Sequence, residues 1–304
     1  MTTTGQFVRP RMGTGNILVP AGSRRAALAG VALLTRSKLP ALAAQWALYG
    51  AVAVAGPRAV PGPRVGWDPP GGAERWAELA ARIGPFDGLA VYERPQASRR
   101  ASGLAAVLLR RGRPLGFLKV RADRGELDRE RVALSAFPEG RAEGFRVPRV
   151  LDRDVTAGWS WMLIEAMPPR PARPARGAAI GPLAAEIGRR LAGVLPRPSG
   201  TPGHWAPMHG DLTAWNLRRC GAGAPWLIDW EDASWAPPDA DRVYYEATHA
   251  VVFGRPSGAD GATGPEEAVE FWRERVARRS GADHDAPFNE RLDAVLRSMT
   301  PVPV

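Results

Sequence analysis

Two polar residues at a fixed offset, followed by a returning apolar strand, constrain this chain more than any other feature. In Met208-His209-Gly210-Asp211-Leu212-Thr213-Ala214-Trp215-Asn216-Leu217, an Asp precedes an Asn by five residues. Thirteen residues after Asn216, the apolar run Pro225-Trp226-Leu227-Ile228 ends in Asp229-Trp230-Glu231. Gly221-Ala222-Gly223-Ala224 supplies a turn between them. A hairpin of Asn216–Arg219 against Trp226–Asp229 returns Asp229 to the side of Asn216. Two carboxylates and an amide then converge, and hard oxygen ligands are what Mg²⁺ requires. A carboxylate near an acceptor hydroxyl, with oxygen ligands for a phosphate-bound metal, is the equipment of phosphoryl transfer.

The rest of the chain supplies a frame for such a site. Leu89–Tyr92, Leu104–Leu109 and Leu115–Val120 read as strands. A helix is expected at about Glu126–Phe137, then strands at Val147–Leu151 and Trp161–Glu165. That order gives a small sheet with one packed helix, the order of a kinase N-terminal lobe. Helices follow at Ile180–Leu195, Pro265–Arg279 and around Phe288–Met299. The expected fold is therefore α+β and two-lobed, with a small β-rich N-lobe and a mostly helical C-lobe. Residues 1–70 read as an N-terminal helical extension and linker, with Ser23 capping a first helix and Ala41–Val54 forming a second. Residues 71–167 are the expected N-lobe, for nucleotide, and 168–304 the C-lobe, for catalysis and the acceptor.

His-Gly-Asp-x4-Asn followed by Ile-Asp-Trp-Glu resembles the aminoglycoside phosphotransferase and choline kinase family, of protein-kinase-like fold. The resemblance spans about residues 88–250, with the two motifs as its specific part. It implies that Asp211 orients or deprotonates the acceptor hydroxyl and that Asn216 and Asp229 hold Mg²⁺. It implies that His209 braces the loop rather than reacting. Asp241 matches an aspartate that ties the loop down, with Asp239 competing for that role. The cofactors implied are ATP (or GTP) and Mg²⁺.

Lys119 lies in the apolar run Gly116-Phe117-Leu118-Lys119-Val120 and is one of only two lysines beside 39 arginines. A chain that so rarely uses lysine places one where a compact ammonium is wanted, here on the nucleotide's phosphates. A solvent-facing edge lysine is the other reading. Leu127, Glu130, Leu134 and Phe137 share one helical face, so Glu130 points inward and is the expected partner of Lys119, with Glu126 as the alternative. By resemblance Glu165-Ala166-Met167 is the hinge that meets the base, and Ser98–Gly103 stands where a phosphate-covering loop would be, without its usual glycines.

Several classes are set aside. The formal charge of +10 invites nucleic acid, but the arginines show no stripe interleaved with aromatics, so no nucleic-acid partner is expected. The single cysteine, Cys220, allows no internal disulfide and fits a cytoplasmic protein. His204, His209, His249 and His284 have no paired metal spacing. The uncharged stretch Leu39–Pro57 reads as a buried helix, with membrane contact through residues 22–56 as the lesser reading. The expected function is transfer of a γ-phosphoryl group to a hydroxyl of a small molecule, of amino sugar, amino alcohol or saccharide type. The alternative is a catalytically weak kinase-like nucleotide-binding regulator or scaffold. Glu231, Asp232, Asp239, Asp241 and Glu246 cluster in sequence, as an acidic acceptor pocket would. Oligomeric state and acceptor identity are not written in the sequence.

Overall fold

The computed structural model describes residues 6–12, 15–93, 103–257, 264–280 and 286–299. In chain order these form β1 (Phe7–Val8), β2 (Ile17–Pro20), α1 (Arg24–Ala32), α2 (Leu39–Ala55), β3 (Arg64–Val65), α3 (Gly72–Ile83), β4 (Gly88–Tyr92), β5 (Gly103–Arg110) and β6 (Arg113–Arg121). Next come α4 (Arg124–Ser135), β7 (Arg141–Ala142), β8 (Phe145–Arg146), β9 (Val150–Thr156), β10 (Trp159–Ile164), β11 (Arg173–Pro174) and α5 (Ile180–Leu191). The chain continues with β12 (Ala206–Met208), β13 (Leu217–Arg219), β14 (Trp226–Leu227), β15 (Ser234–Ala236), α6 (Ala240–Phe253), α7 (Glu266–Ser280) and α8 (Ala286–Met299). Two compact units result: Met1–Leu127 with Pro148–Arg173, and Asp128–Val147 with Pro174–Val304.

The first unit is built on one sheet in the order β3-β1-β2-β4-β5-β6-β10-β9. Its centre is the expected meander, antiparallel throughout, with Lys119 opposite Ala105 on one side and Met162 on the other. Alternation along the strands sends Leu104, Ala106 and Leu108, with Leu118 and Val120, into a core that also holds Trp159, Trp161 and Trp76. Trp76 and Leu79 are the buried face of α3, and Trp76 meets Trp67 edge-on at 5.2 Å between centroids.

The segment 1–70 is not a separate extension. β2 pairs with β4 through Ile17↔Tyr92 and Leu18↔Val91, and Phe7, Leu18 and Trp67 join the aromatic core of the same unit. The two helices do form: Ser23 Oγ accepts the Ala26 N–H at 3.5 Å to cap α1. The expected strand at Val147 begins later, at Val150. Val147 N–H donates to Gly140 O at 3.1 Å instead of to a strand neighbour, and Pro148 has no N–H to give. Leu39–Ala59 is long and apolar enough, by length and composition, to cross a membrane. It is not the buried helix that was expected: Leu42, Gln45, Leu48 and Val52 are inside, and the opposite face is open.

The second unit is mostly helical. α6, α7 and α8 pack around Trp272, Val243, Tyr244, Val269, Val276, Leu292 and Leu296, and Tyr244 stacks on Trp272 at 3.9 Å between centroids. Short strands carry the polar loop: β12 pairs with β15, and β13 with β14. Thus the ends of two small ladders, rather than helix faces, fix where His209–Asn216 and Asp229 lie.

Candidate active site

The second unit holds the His-Gly-Asp loop by its backbone. Asp241, in the first turn of α6, accepts the N–H of His209 at 2.7 Å and of Gly210 at 3.1 Å. Burial raises the Asp241 carboxyl to about 6, and these two N–H groups and Arg275 work against that rise. The competing Asp239 is elsewhere engaged, paired with Arg242 at 3.3 Å. Gly210 sits at φ +82°, and a Cβ there would lie 2.1 Å from the Asp232 carbonyl oxygen, so only glycine fits the turn. His209 is fully buried against Trp230, with ring centroids 4.5 Å apart. Its Nδ1 accepts the Asp211 N–H at 3.1 Å. An Nδ1 that accepts carries no proton, so this ring is a neutral brace at that atom.

Asn216 closes the loop on Asp211. Its Nδ2 donates to Asp211 Oδ2 at 2.7 Å and to Asp211 O at 3.0 Å. The Asn216 and Leu217 N–H groups both donate to Thr213 O, which forms the turn that brings the amide back. The hairpin then runs as expected: Leu217 is opposite Leu227, Arg218 opposite Trp226, and Ile228 N–H donates to Asn216 O at 3.1 Å. Asp229 follows at φ 69°, a left-handed conformation that a non-glycine residue adopts at a cost of order 1 kcal/mol.

Asp229 stands in a carboxylate cluster with Glu231 and Glu130, whose ligand oxygens all lie within 4.8 Å of one another. Glu130 is fully buried, like Leu127, Leu134 and Phe137 on its helical face. Glu126 is turned elsewhere, to Arg121 at 3.2 Å. The donor set of three carboxylates suits Mg²⁺ or another hard divalent cation.

The carboxyl of Asp211 is pushed well above the ordinary carboxylate range. Burial is the first cause, followed by the charges of Asp229 and Asp232; Arg279 and the Asn216 amide oppose it. Asp232 in turn is gripped by two arginines one turn apart on α7, Arg275 at 3.2 Å and Arg279 at 3.6 Å. Arg279 also donates to the hydroxyl of buried Tyr244 at 3.3 Å. Sequence reasoning names Asp232 only as part of an acidic cluster and does not find Arg275, Arg279 or Tyr244, because it takes α7 by its apolar face alone. The signal available was the i, i+4 pair Arg275/Arg279.

Each acid of the run is engaged within the protein. Asp232 is held by arginines, Asp239 by Arg242, and Asp241 by the loop backbone. Glu246 accepts from Ser257 N–H at 2.7 Å and from the Ser257 hydroxyl, and Glu231 belongs to the carboxylate cluster.

In the first unit, Lys119 is buried at the centre of the sheet, not at an edge. Glu165, just past β10, donates its N–H to Arg149 O at 2.8 Å and pairs with the Arg149 guanidinium at 3.2 Å. Ala166 and Met167 follow, half-buried. Residues 98–102, where the phosphate-covering loop was expected, lie outside the described residues.

No family model matches the chain, and no curated protein matches it in sequence. By structure it is similar to small-molecule phosphotransferases. One is the apo form of a thermostable mutant of the aminoglycoside phosphotransferase APH(4)-Ia, at 12% identity and TM-score 0.46, covering 72% of this chain and 97% of that one. Another is the macrolide 2'-phosphotransferase MphH from Brachybacterium faecium, at 15% identity and TM-score 0.43, covering 74% and 98%. A third is the amicoumacin kinase hAmiN in complex with AMP-PNP, Ca²⁺ and Ami, at 11% identity and TM-score 0.38, covering 67% and 72%.

Proposed function

We propose that this chain is an ATP- and Mg²⁺-dependent phosphotransferase that moves the γ-phosphoryl group to a hydroxyl of a small molecule. The observation that carries this is the Asn216 amide held at 2.7 Å on the Asp211 carboxylate, with Asp229 following the paired strand directly after the Ile228 N–H bond to Asn216 O. That is the arrangement in which one carboxylate meets an acceptor while an amide oxygen and a second carboxylate face a cation.

Each residue has a separate task. Asp211 accepts the proton of the acceptor hydroxyl, and its raised basicity makes it a better proton acceptor near neutrality than an ordinary carboxylate. With the Asn216 amide nitrogen engaged by Asp211, its oxygen is the atom left for the metal, beside Asp229. The cation neutralises charge on the phosphates when bound. His209 and Asp241 keep the loop backbone in place. Lys119 of the first unit is assigned to the nucleotide's phosphates, and the segment Glu165–Met167 to its base. The first unit then serves the nucleotide and the second serves catalysis and the acceptor, in a cytoplasmic enzyme.

A phosphoryl-transfer screen over aminoglycosides, choline, sugars and amino alcohols tests this, with Asp211→Ala as the blank. We expect turnover that falls by roughly 10²–10⁴-fold in the variant. An Asp211→Ala protein within tenfold of the unaltered chain on its acceptor, or no transfer to any acceptor class, overturns the assignment.

A further inference from the structure

Helix α2 is apolar on both faces. One face is seated in the protein: Leu48 and Val52 lie in a core with Val19 and Val31, and buried Gln45 donates from Nε2 to Val31 O at 2.9 Å. Tyr49 O–H donates to Pro169 O at 2.8 Å. The other face carries no polar side chain, with Leu39 62%, Trp46 48% and Val54 80% exposed among alanines and Gly50. A helix that is apolar all round requires a cover on every side.

The charge around it says what the cover is. Residues 1–67 contain eight Arg and Lys and no Asp or Glu, whereas residues 68–304 carry 33 basic and 31 acidic residues. Most of the chain's net charge of +10 is therefore carried by the segment that builds α2. Arg36 and Lys38 precede the helix. At its other end Arg58 and Arg64, with Ala21, Ala55 and Pro57, line a depression of about 380 Å³. A second copy of the chain is the weaker occupant. One face of a 17-residue helix is about 25 Å by 10 Å, or roughly 250 Å², against ~800 Å² per partner in a standard interface. A lipid surface needs no shape match and rewards apolar insertion flanked by cations.

We infer that the open face of α2 rests in the surface of an anionic bilayer, lying in it rather than crossing it. Its apolar side chains enter the acyl boundary, and Lys38, Arg58 and Arg64 meet lipid phosphates. The seated face, fixed through Gln45, Tyr49 and the core, is what keeps the helix from spanning. This inference does not depend on the phosphotransferase reading.

The full chain is sedimented with vesicles of phosphatidylcholine alone and of phosphatidylcholine mixed with phosphatidylglycerol. We expect binding to the mixed vesicles only, weakened by salt. Val54→Asp and Trp46→Asp should each cut the bound fraction by about tenfold, and the thermal melt of Val54→Asp should be unchanged because that side chain is 80% exposed. Arg58→Gln combined with Arg64→Gln should weaken binding to the mixed vesicles. Three outcomes overturn the inference: no binding to mixed vesicles, equal binding to both kinds, or binding indifferent to Val54→Asp. A dimer in sedimentation equilibrium that Val54→Asp dissolves also overturns it, and gives the face to a second copy.

Discussion

Asp241 accepts the backbone N–H of His209 at 2.7 Å from the first turn of a helix more than thirty residues away in sequence. Burial, which the two loop N–H groups and Arg275 only partly offset, holds this carboxyl at about 6, above its ordinary value of 3.8. A folded-state value above the unfolded one means that folding favours the protonated group. The stability this contributes is full below the unfolded value and is lost as pH rises through about 6. That rise corresponds to about 3 kcal/mol. Denaturant melts between pH 4 and pH 7 should show this decline, and Asp241→Asn should flatten it. The amide has a single acceptor oxygen, so one of the two loop N–H groups loses its partner. The variant should accordingly be less stable than the parent at pH 4 by ~1–3 kcal/mol.

Gly210→Ala tests the same loop from the backbone side. At φ +82° an alanine is strained, and its Cβ would stand 2.1 Å from the Asp232 carbonyl oxygen, which a rotamer change cannot relieve. Destabilisation of more than about 2 kcal/mol is expected, from the left-handed backbone plus the displaced Asp232 segment. Chemical denaturation measures it. A variant as stable as the parent would show that the turn can be made another way.

How much of this was legible in the sequence depended on chain separation. The turn from Asp211 to Asn216 and the hairpin to Asp229 are local, so spacing alone placed them. The inward Glu130 followed from helical period in a single element. By contrast β1 and β3 have only two residues each, too few for an alternation to show, and their place at the sheet's edge is decided by pairing with distant strands. The open face of α2 was hidden because an apolar helix reads alike whether one side or both are covered. The Arg275–Asp232–Arg279 group joins α7 to a loop over forty residues away, a contact that no local period reveals.

The carboxylate cluster should bind metal without nucleotide. Three carboxylates offer oxygens within 4.8 Å of one another, the hard donors that a divalent cation takes. Mg²⁺ should therefore raise the melting temperature of the free protein, by mass action worth about 2.7 kcal/mol at a hundredfold excess over Kd. Asp229→Asn should remove most of the shift, and Glu231→Gln should reduce it. An unchanged Mg²⁺ titration in Asp229→Asn would remove Asp229 from the metal site.

The charges around Asp211 predict the acid limb of the activity profile. A proton acceptor works only when ionised, so kcat/KM should fall as pH drops through the Asp211 value, which lies above the ordinary carboxylate range. Asp232 contributes to that rise and Arg279 opposes it. Asp232→Asn removes a negative neighbour, and the limb should move to lower pH. Arg279→Gln removes a positive one, and the limb should move to higher pH. The opposite signs separate an electrostatic role from simple loosening of α7, since both substitutions break the same 3.6 Å contact. Shifts in one direction for both variants would mean that packing, not charge, is what reaches Asp211.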